Sequence, residues 1–126
     1  MSLTPLSTDK APGAVGPYSQ GIKVGNMVFT SGQLPMAPGS TEMMKGDIKK
    51  ETKQCIENVL AVLEAGGAKL EDIAKVNIFI TDMDDFPAVN EVYGEYFNEH
   101  KPARACVQVS RLPGGADVEI EAIAVI

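Results

Sequence analysis

Near the C-terminus, the stretch PARACVQVSRLP (Pro102 to Pro113) sets Arg104, Cys106, Gln108 and Ser110 at every second position, with Val107 and Val109 between them. In an extended chain successive side chains point to opposite faces, so this spacing lines up a guanidinium, a thiol, an amide and a hydroxyl on one side of a strand. A later segment, VEIEAIAVI, adds Glu119 and Glu121. An arginine grips a carboxylate through two parallel N–H bonds, where a lysine offers a point charge. A carboxylate at the same site can take up and return a proton. Together they suit a small anionic ligand. Spacing alone does not choose between Glu119 and Glu121, and either can serve as a plain salt-bridge partner.

Cys106 invites a nucleophile reading, but no histidine lies in its strand, and an unactivated thiol is mostly protonated at neutral pH. It reads as a small pocket wall. Cys55 falls on an apolar helical stripe and reads as core, and His100, near a helix end, reads as a solvated residue favourable to the helix dipole. With two cysteines, no C-x-x-C and one histidine, the chain offers neither a disulfide framework nor a metal set. Its 126 residues, 44% of them hydrophobic, suffice for one self-supporting domain spanning 1–126. A net charge of −6 with no basic cluster repels phosphate backbones, so nucleic acid is not expected as a partner. No leader pattern and no membrane-length apolar run are present in the sequence. A soluble, cytoplasmic protein is expected.

These residues must be positioned by a framework, and the sequence outlines one. GIKVGNMVFTSGQ predicts two strands joined at Gly25-Asn26. From Asp47, the residues Ile48, Thr52, Cys55, Ile56, Val59, Leu60 and Leu63 recur at helical spacing, and Gly66-Gly67 supplies a stop. AKVNIFITDM predicts a strand. Asp84 and Asp85 before Phe86-Pro87 then signal a second helix with Phe86, Val89, Tyr93, Tyr96 and Phe97 inward, ending before Pro102. Two strands separated by a Pro-Gly-Gly turn follow, read as a hairpin, and a short extra strand is possible on pattern near Leu3 to Leu6. The segment LPMAPGSTEMMKG, with Met36, Met43 and Met44, reads as a mobile surface loop. The order predicts an α+β fold: a mixed sheet with two helices on one face.

In the last strand Val118, Ile120, Ala122, Ala124 and Ile126 share a wholly apolar face, which must meet the helices. The same test assigns Ala105, Val107 and Val109 to the helix side. Arg104, Cys106, Gln108, Ser110, Glu119 and Glu121 are then expected together on the second face, beside Phe79, Ile123 and Val125. No third helix is left to cover that face. Another copy of the chain could, and clefts between copies would trap the arginine and the carboxylates.

The segment PARACVQVSRLPGGADVEIEAIAV resembles the C-terminal signature of the reactive intermediate deaminase A (RidA) family, which pairs Pro-Ala-Arg with a glutamate between apolar residues. APGAVGPYSQG and VFTSGQLP are similar to the two N-terminal motifs of the family, so the resemblance runs from about Ala11 to the C-terminus. It implies a chorismate-mutase-like fold, a homotrimer with sites between subunits, and hydrolysis of 2-imino acids or their enamine tautomers, such as 2-iminobutanoate and 2-iminopropanoate, to 2-oxo acids and ammonia without a cofactor. Carried over by position, Glu119 would activate the attacking water and Arg104 would hold the substrate carboxylate. Tyr18 would close the pocket, backbone groups near Ser31 and Gly32 would contact the ligand, and Asn90 and Cys106 would line the site. On the residues alone, Tyr18 equally describes a packing residue in a Gly-Pro turn. A binding module that senses 2-oxo acids without turnover is the competing reading. Such a sensor has no need of Glu119, which favours the enzyme.

Overall fold

The alternation around Gly25-Asn26 folds back on itself in the computed structural model, which describes residues 2–126. Thr4–Leu6 (β1), Gly21–Val24 (β2) and Met27–Thr30 (β3) form an antiparallel ribbon, with Val24 opposite Met27 across the predicted two-residue turn. Ile48–Ala65 (α1) follows. The Asp47 side chain accepts the Lys50 N–H at 3.1 Å, while Glu51 reaches back to the Asp47 N–H at 3.0 Å, so two of the orphan donors of the first turn are satisfied. At the other end Gly67 takes φ +85°, and Ala68 N–H→Leu63 O and Gly67 N–H→Glu64 O, both 2.9 Å, close the helix. Only a residue without Cβ adopts that conformation cheaply, which is why Gly66-Gly67 works as a stop.

Ile73–Ile80 (β4), Phe86–Tyr96 (α2), Ala103–Gln108 (β5) and Val118–Val125 (β6) complete the chain. Before α2, Met83–Asp85 makes a single 3-10 turn capped by Asp82, whose carboxylate accepts the Asp84 N–H at 2.9 Å; Asp85 precedes the helix without a side-chain bond. The sheet order is β1-β2-β3-β6-β4-β5, antiparallel throughout except for the β4–β5 pair. This is the α+β architecture expected. Val28, Val76, Ile78, Ile80, Val118, Ile120, Ala122 and Ala124 face α1 and α2 and are buried against Cys55, Ile56, Val59, Leu63, Val89 and Tyr93. Among the described residues, no helix is long and apolar enough to cross a membrane.

Three expectations need correction. The last two strands are not a hairpin: β4 lies between them, and β5 forms the sheet edge. A parallel strand reached through α2 pairs with the strand before the helix, not with its successor.

The second correction concerns which way β5 faces. Its register sets Arg104 opposite Val76, Cys106 opposite Ile78 and Gln108 opposite Ile80, all on the helix side. Arg104 and Cys106 therefore point toward α2, and Gln108 accepts the Met83 N–H at 2.7 Å from the approach to α2. Ala105 and Val107 point to the open face, where Val107 is 46% exposed. The alternation was read correctly and its phase inverted. An edge strand at the rim of the helix layer leaves room for a long polar side chain, and the open face is itself rich in apolar residues, so apolarity did not mark the helix side.

Third, His100 is half-buried rather than free in solvent, with Nε2 2.7 Å from the Ile73 carbonyl. The segment 34–46 is without helix or strand, as read. Its first residues are anchored, however, because the buried Asn58 amide donates to the carbonyls of Leu34 at 3.1 Å and Met36 at 2.9 Å.

Candidate functional site

Glu119 lies on the open face of β6, directly opposite Phe79 of β4. The chain leaving β3 continues along β6: Gln33 and Ile120 exchange backbone bonds of 2.7 and 3.1 Å, which lays Ser31 and Gly32 beside the glutamate. At Gly32 a Cβ atom would lie 2.6 Å from Glu119 Oε2. No other residue type leaves the carboxylate where it is. The Ser31 hydroxyl donates to the Ser19 carbonyl at 2.5 Å, and the Ser31 N–H to the Gln20 carbonyl at 2.8 Å. These bonds tie the strand exit to the segment that carries Tyr18.

That segment is shaped from within. The Gln20 side chain, 3% exposed, accepts the Thr8 N–H at 2.7 Å and donates to the carbonyls of Thr8 at 3.0 Å and Pro12 at 2.7 Å. Tyr18 N–H donates to Gly16 O at 2.9 Å, and its phenol oxygen accepts the Val15 N–H at 3.3 Å. The ring stands half in solvent. Around it opens a cavity of about 650 Å³ whose lining includes Tyr18, Ser31, Gly32, Glu119, Met43 and Gly114. Burial first, then the charge of Glu121, pushes the Glu119 carboxyl above its ordinary range. Glu121 is differently placed, accepting the Asn77 amide N–H at 3.1 Å. A carboxyl group with raised proton affinity, open to a cavity and free of donors that would pin it ionised, is equipped to take and return a proton.

Arg104, Asn90 and Cys106 form a separate group on the helix side. Arg104 Nη1 donates to Asn90 Oδ1 at 2.7 Å, and the guanidinium lies 4.7 Å from the Tyr93 ring centre and 5.5 Å from that of Phe86. Asn90 and the two aromatic rings hold the guanidinium at the mouth of a second cavity of about 460 Å³, which Lys101 also lines. Burial raises the Cys106 thiol, with Arg104 pulling weakly the other way, so its sulfur carries a proton. Cys106 lines neither cavity and packs half-buried against the core, so the pocket wall expected of it is not what the single chain shows, and a protonated thiol is not a thiolate nucleophile.

The seven residues singled out in the sequence thus divide. Tyr18, Ser31, Gly32 and Glu119 share one cavity; Arg104 and Asn90 line the other with Cys106 on the same strand face. Within one chain Arg104 and Glu119 are on opposite sides of the sheet. One contributor is absent from the sequence-based set: Gln20, visible in the PYSQG motif, which organises the Tyr18 segment.

The profile of the family described as Endoribonuclease L-PSP matches residues 8–126. A RutC family protein of Pyrococcus abyssi is 53% identical over 124 residues, covering 98% of this chain and 98% of its own. The 2-iminobutanoate/2-iminopropanoate deaminase of Escherichia coli is 47% identical over 128 residues, covering 99% of this chain and 98% of its own. The crystal structure of E. coli TdcF with bound serine superposes with a TM-score of 0.92 at 48% identity, covering 98% of both chains. The chain belongs to the Endoribonuclease L-PSP family, the family of the RidA proteins.

Proposed function

We propose that the protein hydrolyses reactive 2-imino acids to 2-oxo acids and ammonia, at sites where Arg104 of one copy meets Glu119 of another. The observation that carries this reading is the division of the two groups between opposite sides of the sheet. The open face has Phe79, Ile123, Val107 and Val125 on it, the first two half-buried and the last two exposed, and among the described residues no helix packs over it. A second copy seated there buries that surface and brings its own sheet edge, with Arg104, toward the Glu119 cavity. A closed trimer is the assembly proposed, on family resemblance.

The chemistry follows from the groups. The guanidinium takes the substrate carboxylate, fixing the imine carbon near Glu119. Glu119 accepts a proton as water adds to that carbon, then gives it to the nitrogen; as the C–N bond breaks and ammonia leaves, the carbonyl forms and its hydroxyl proton passes to Glu119, which releases it to ammonia. The iminium is already electrophilic, so positioning and one proton carrier meet the catalytic demand. No cofactor is called for by these steps. The name of the matching family refers to a nuclease, but a net charge of −6 disfavours binding of a phosphate backbone.

The test generates 2-iminobutanoate in situ with a threonine dehydratase and traps it with semicarbazide. The protein should suppress the trapped product and accelerate 2-oxobutanoate release. Tight binding of 2-oxobutanoate with no effect on the trapped imine would replace the enzyme with a sensor of 2-oxo acids.

A further inference from the structure

One cluster of ionisable groups lies outside both cavities and yet holds a wall of the Glu119 site. Glu51, in the first turn of α1, is 1% exposed. Its Oε2 accepts the Asp47 N–H, but its Oε1 is buried without a donor. A buried carboxylate oxygen left unsatisfied is costly enough to require an explanation. The side chain beside it is another carboxyl group, Asp117. Two carboxylates have no proton to share, so a bond between them exists only when one is protonated. Lys45 Nζ donates to Asp117 Oδ1 at 2.9 Å and to the Gly115 carbonyl at 2.7 Å, which keeps Asp117 ionised. The proton belongs to Glu51.

The surroundings agree. Burial, and next the hydrogen bond to Asp117, raise Glu51 to about 7, against the opposing pull of the Asp47 amide and Lys45. Burial would raise Asp117 as well, but the hydrogen bonds from Lys45 and Glu51 outweigh it and leave that carboxyl below its ordinary range. Further along α1 the Cys55 thiol is raised by burial and then by Glu119 and Glu51, so it stays neutral. At the approach to α2, burial and then Asp82, Asp117 and Asp84 raise Asp85. On the far side of Asp117, Arg111 lines a pocket with Gly115 and Asp117, so the cations near the pair are Lys45 and Arg111, and the other groups named are acidic or neutral.

Lys45 ends the segment that carries Met43, and Gly115 and Asp117 belong to the turn that carries Gly114. A Cβ at Gly114 would lie 2.6 Å from the Met43 methyl carbon, and both residues line the Glu119 cavity. We propose that Glu51, Asp117 and Lys45 form a clasp, closed by one proton shared between two carboxyl groups, that fixes the Met43–Gly114 wall of the Glu119 cavity and loosens when the proton leaves. Glu51 is a positioning residue, since it does not line the cavity. Loss of its proton sets two like charges together in a buried place, and the strandless 34–46 segment is what yields. The clasp stands on its own geometry, while its consequence for turnover rests on the deaminase reading.

Methionine ε-methyl NMR of the intact protein, titrated from mildly acidic to mildly alkaline pH, reads the wall directly. The Met43 resonance should move with a midpoint near 7, while Met27 on β3 stays still. In Glu51→Gln the amide donates to Asp117 at every pH, so Met43 should hold its acid position throughout. Asp117→Asn gives Glu51 a neutral partner that can donate to its ionised form, and the midpoint should fall by about one unit or more. A Met43 resonance that ignores pH in the wild type, or a midpoint unchanged in either variant, overturns the clasp. If Glu51→Gln does not fold, Asp117→Asn decides. Where imine hydrolysis is established, the wild-type KM should rise through the same midpoint and that of Glu51→Gln should not; a KM that ignores the midpoint overturns the link to turnover. A titrating Met43 in a protein that hydrolyses no imine keeps the clasp and removes the deaminase, and the converse result does the opposite.

Discussion

Mixing two impaired variants distinguishes a site within one chain from a site between chains. Arg104→Lys retains a charge but loses the two-point grip, at a cost of about 1.5–3 kcal/mol and so more than about tenfold in kcat/KM. Glu119→Gln retains shape but cannot accept a proton. Arg104 and Glu119 lie on opposite sides of the sheet within one chain, and in the assembly proposed each contact between copies would draw the arginine from one chain and the glutamate from the next. In a ring assembled at random from equal amounts of the two variants, an intact site needs Arg104 from a Glu119→Gln copy and Glu119 from an Arg104→Lys copy. Each choice has even odds, so about one quarter of the sites are restored, whatever the number of copies in the closed ring. The experiment co-refolds the two variants, confirms mixed assemblies by native mass spectrometry, and measures imine hydrolysis against each variant refolded alone. Activity near one quarter of wild type supports the two-copy site. Mixed assemblies no more active than the sum of the separate variants would refute it, because both groups would then have to act from the same chain.

Four further outcomes are expected. Gly32→Ala places a methyl where the Glu119 carboxylate now sits and should abolish most activity with far-ultraviolet circular dichroism unchanged; wild-type kinetics would show that this carboxylate position is unimportant. Val125→Asp charges the open face and should lower both the mass seen by light scattering and the activity, whereas an intact active oligomer would place the interface elsewhere. Cys106→Ser should reduce kcat/KM by less than about tenfold, and a covalent adduct on the wild-type thiol seen by mass spectrometry would contradict a purely packing role. Glu51 stands above its ordinary 4.5 when folded, so the native state holds the proton more tightly, and stability should be full below that value and decline as pH rises through about 7. The decline is bounded on the order of 3 kcal/mol, should show as a falling Tm, and should shrink in Glu51→Gln; an unchanged slope in that variant would place the effect elsewhere.

Much of the framework was legible because local rules act on adjacent residues. Asp47 before an apolar helical stripe, Gly66-Gly67 after it, and the strict alternation of Val118–Val125 each reflect an interaction within a few positions along the chain. Pairing order was not of that kind. Whether β6 inserts between β3 and β4, and hence which side of β5 meets α2, depends on contacts among segments far apart in sequence. The surroundings of Glu51 are hidden for the same reason: its spacing from Ile48 and Cys55 puts it on the buried face of α1, but the neighbouring Asp117 arrives from the other end of the chain. The motifs carrying Tyr18, Ser31, Gly32, Arg104 and Glu119 picked out residues, but motifs carry no record of which face each residue takes.

The inverted face of β5 changes what the site requires. Had Arg104 shared the open face with Glu119, one chain could have bound and processed a ligand alone, with association serving only to cover apolar surface. With Arg104 clamped by Asn90 and stacked near Tyr93 on the helix side, the proposed anchor and the proposed proton carrier are held apart within one chain. In the assembly proposed, covering Val107 and Val125 and joining the two cavities would be one event. A chain that fails to associate then exposes an apolar face and at the same time lacks a site, so hydrolysis and assembly should be lost together across interface variants and not in sequence.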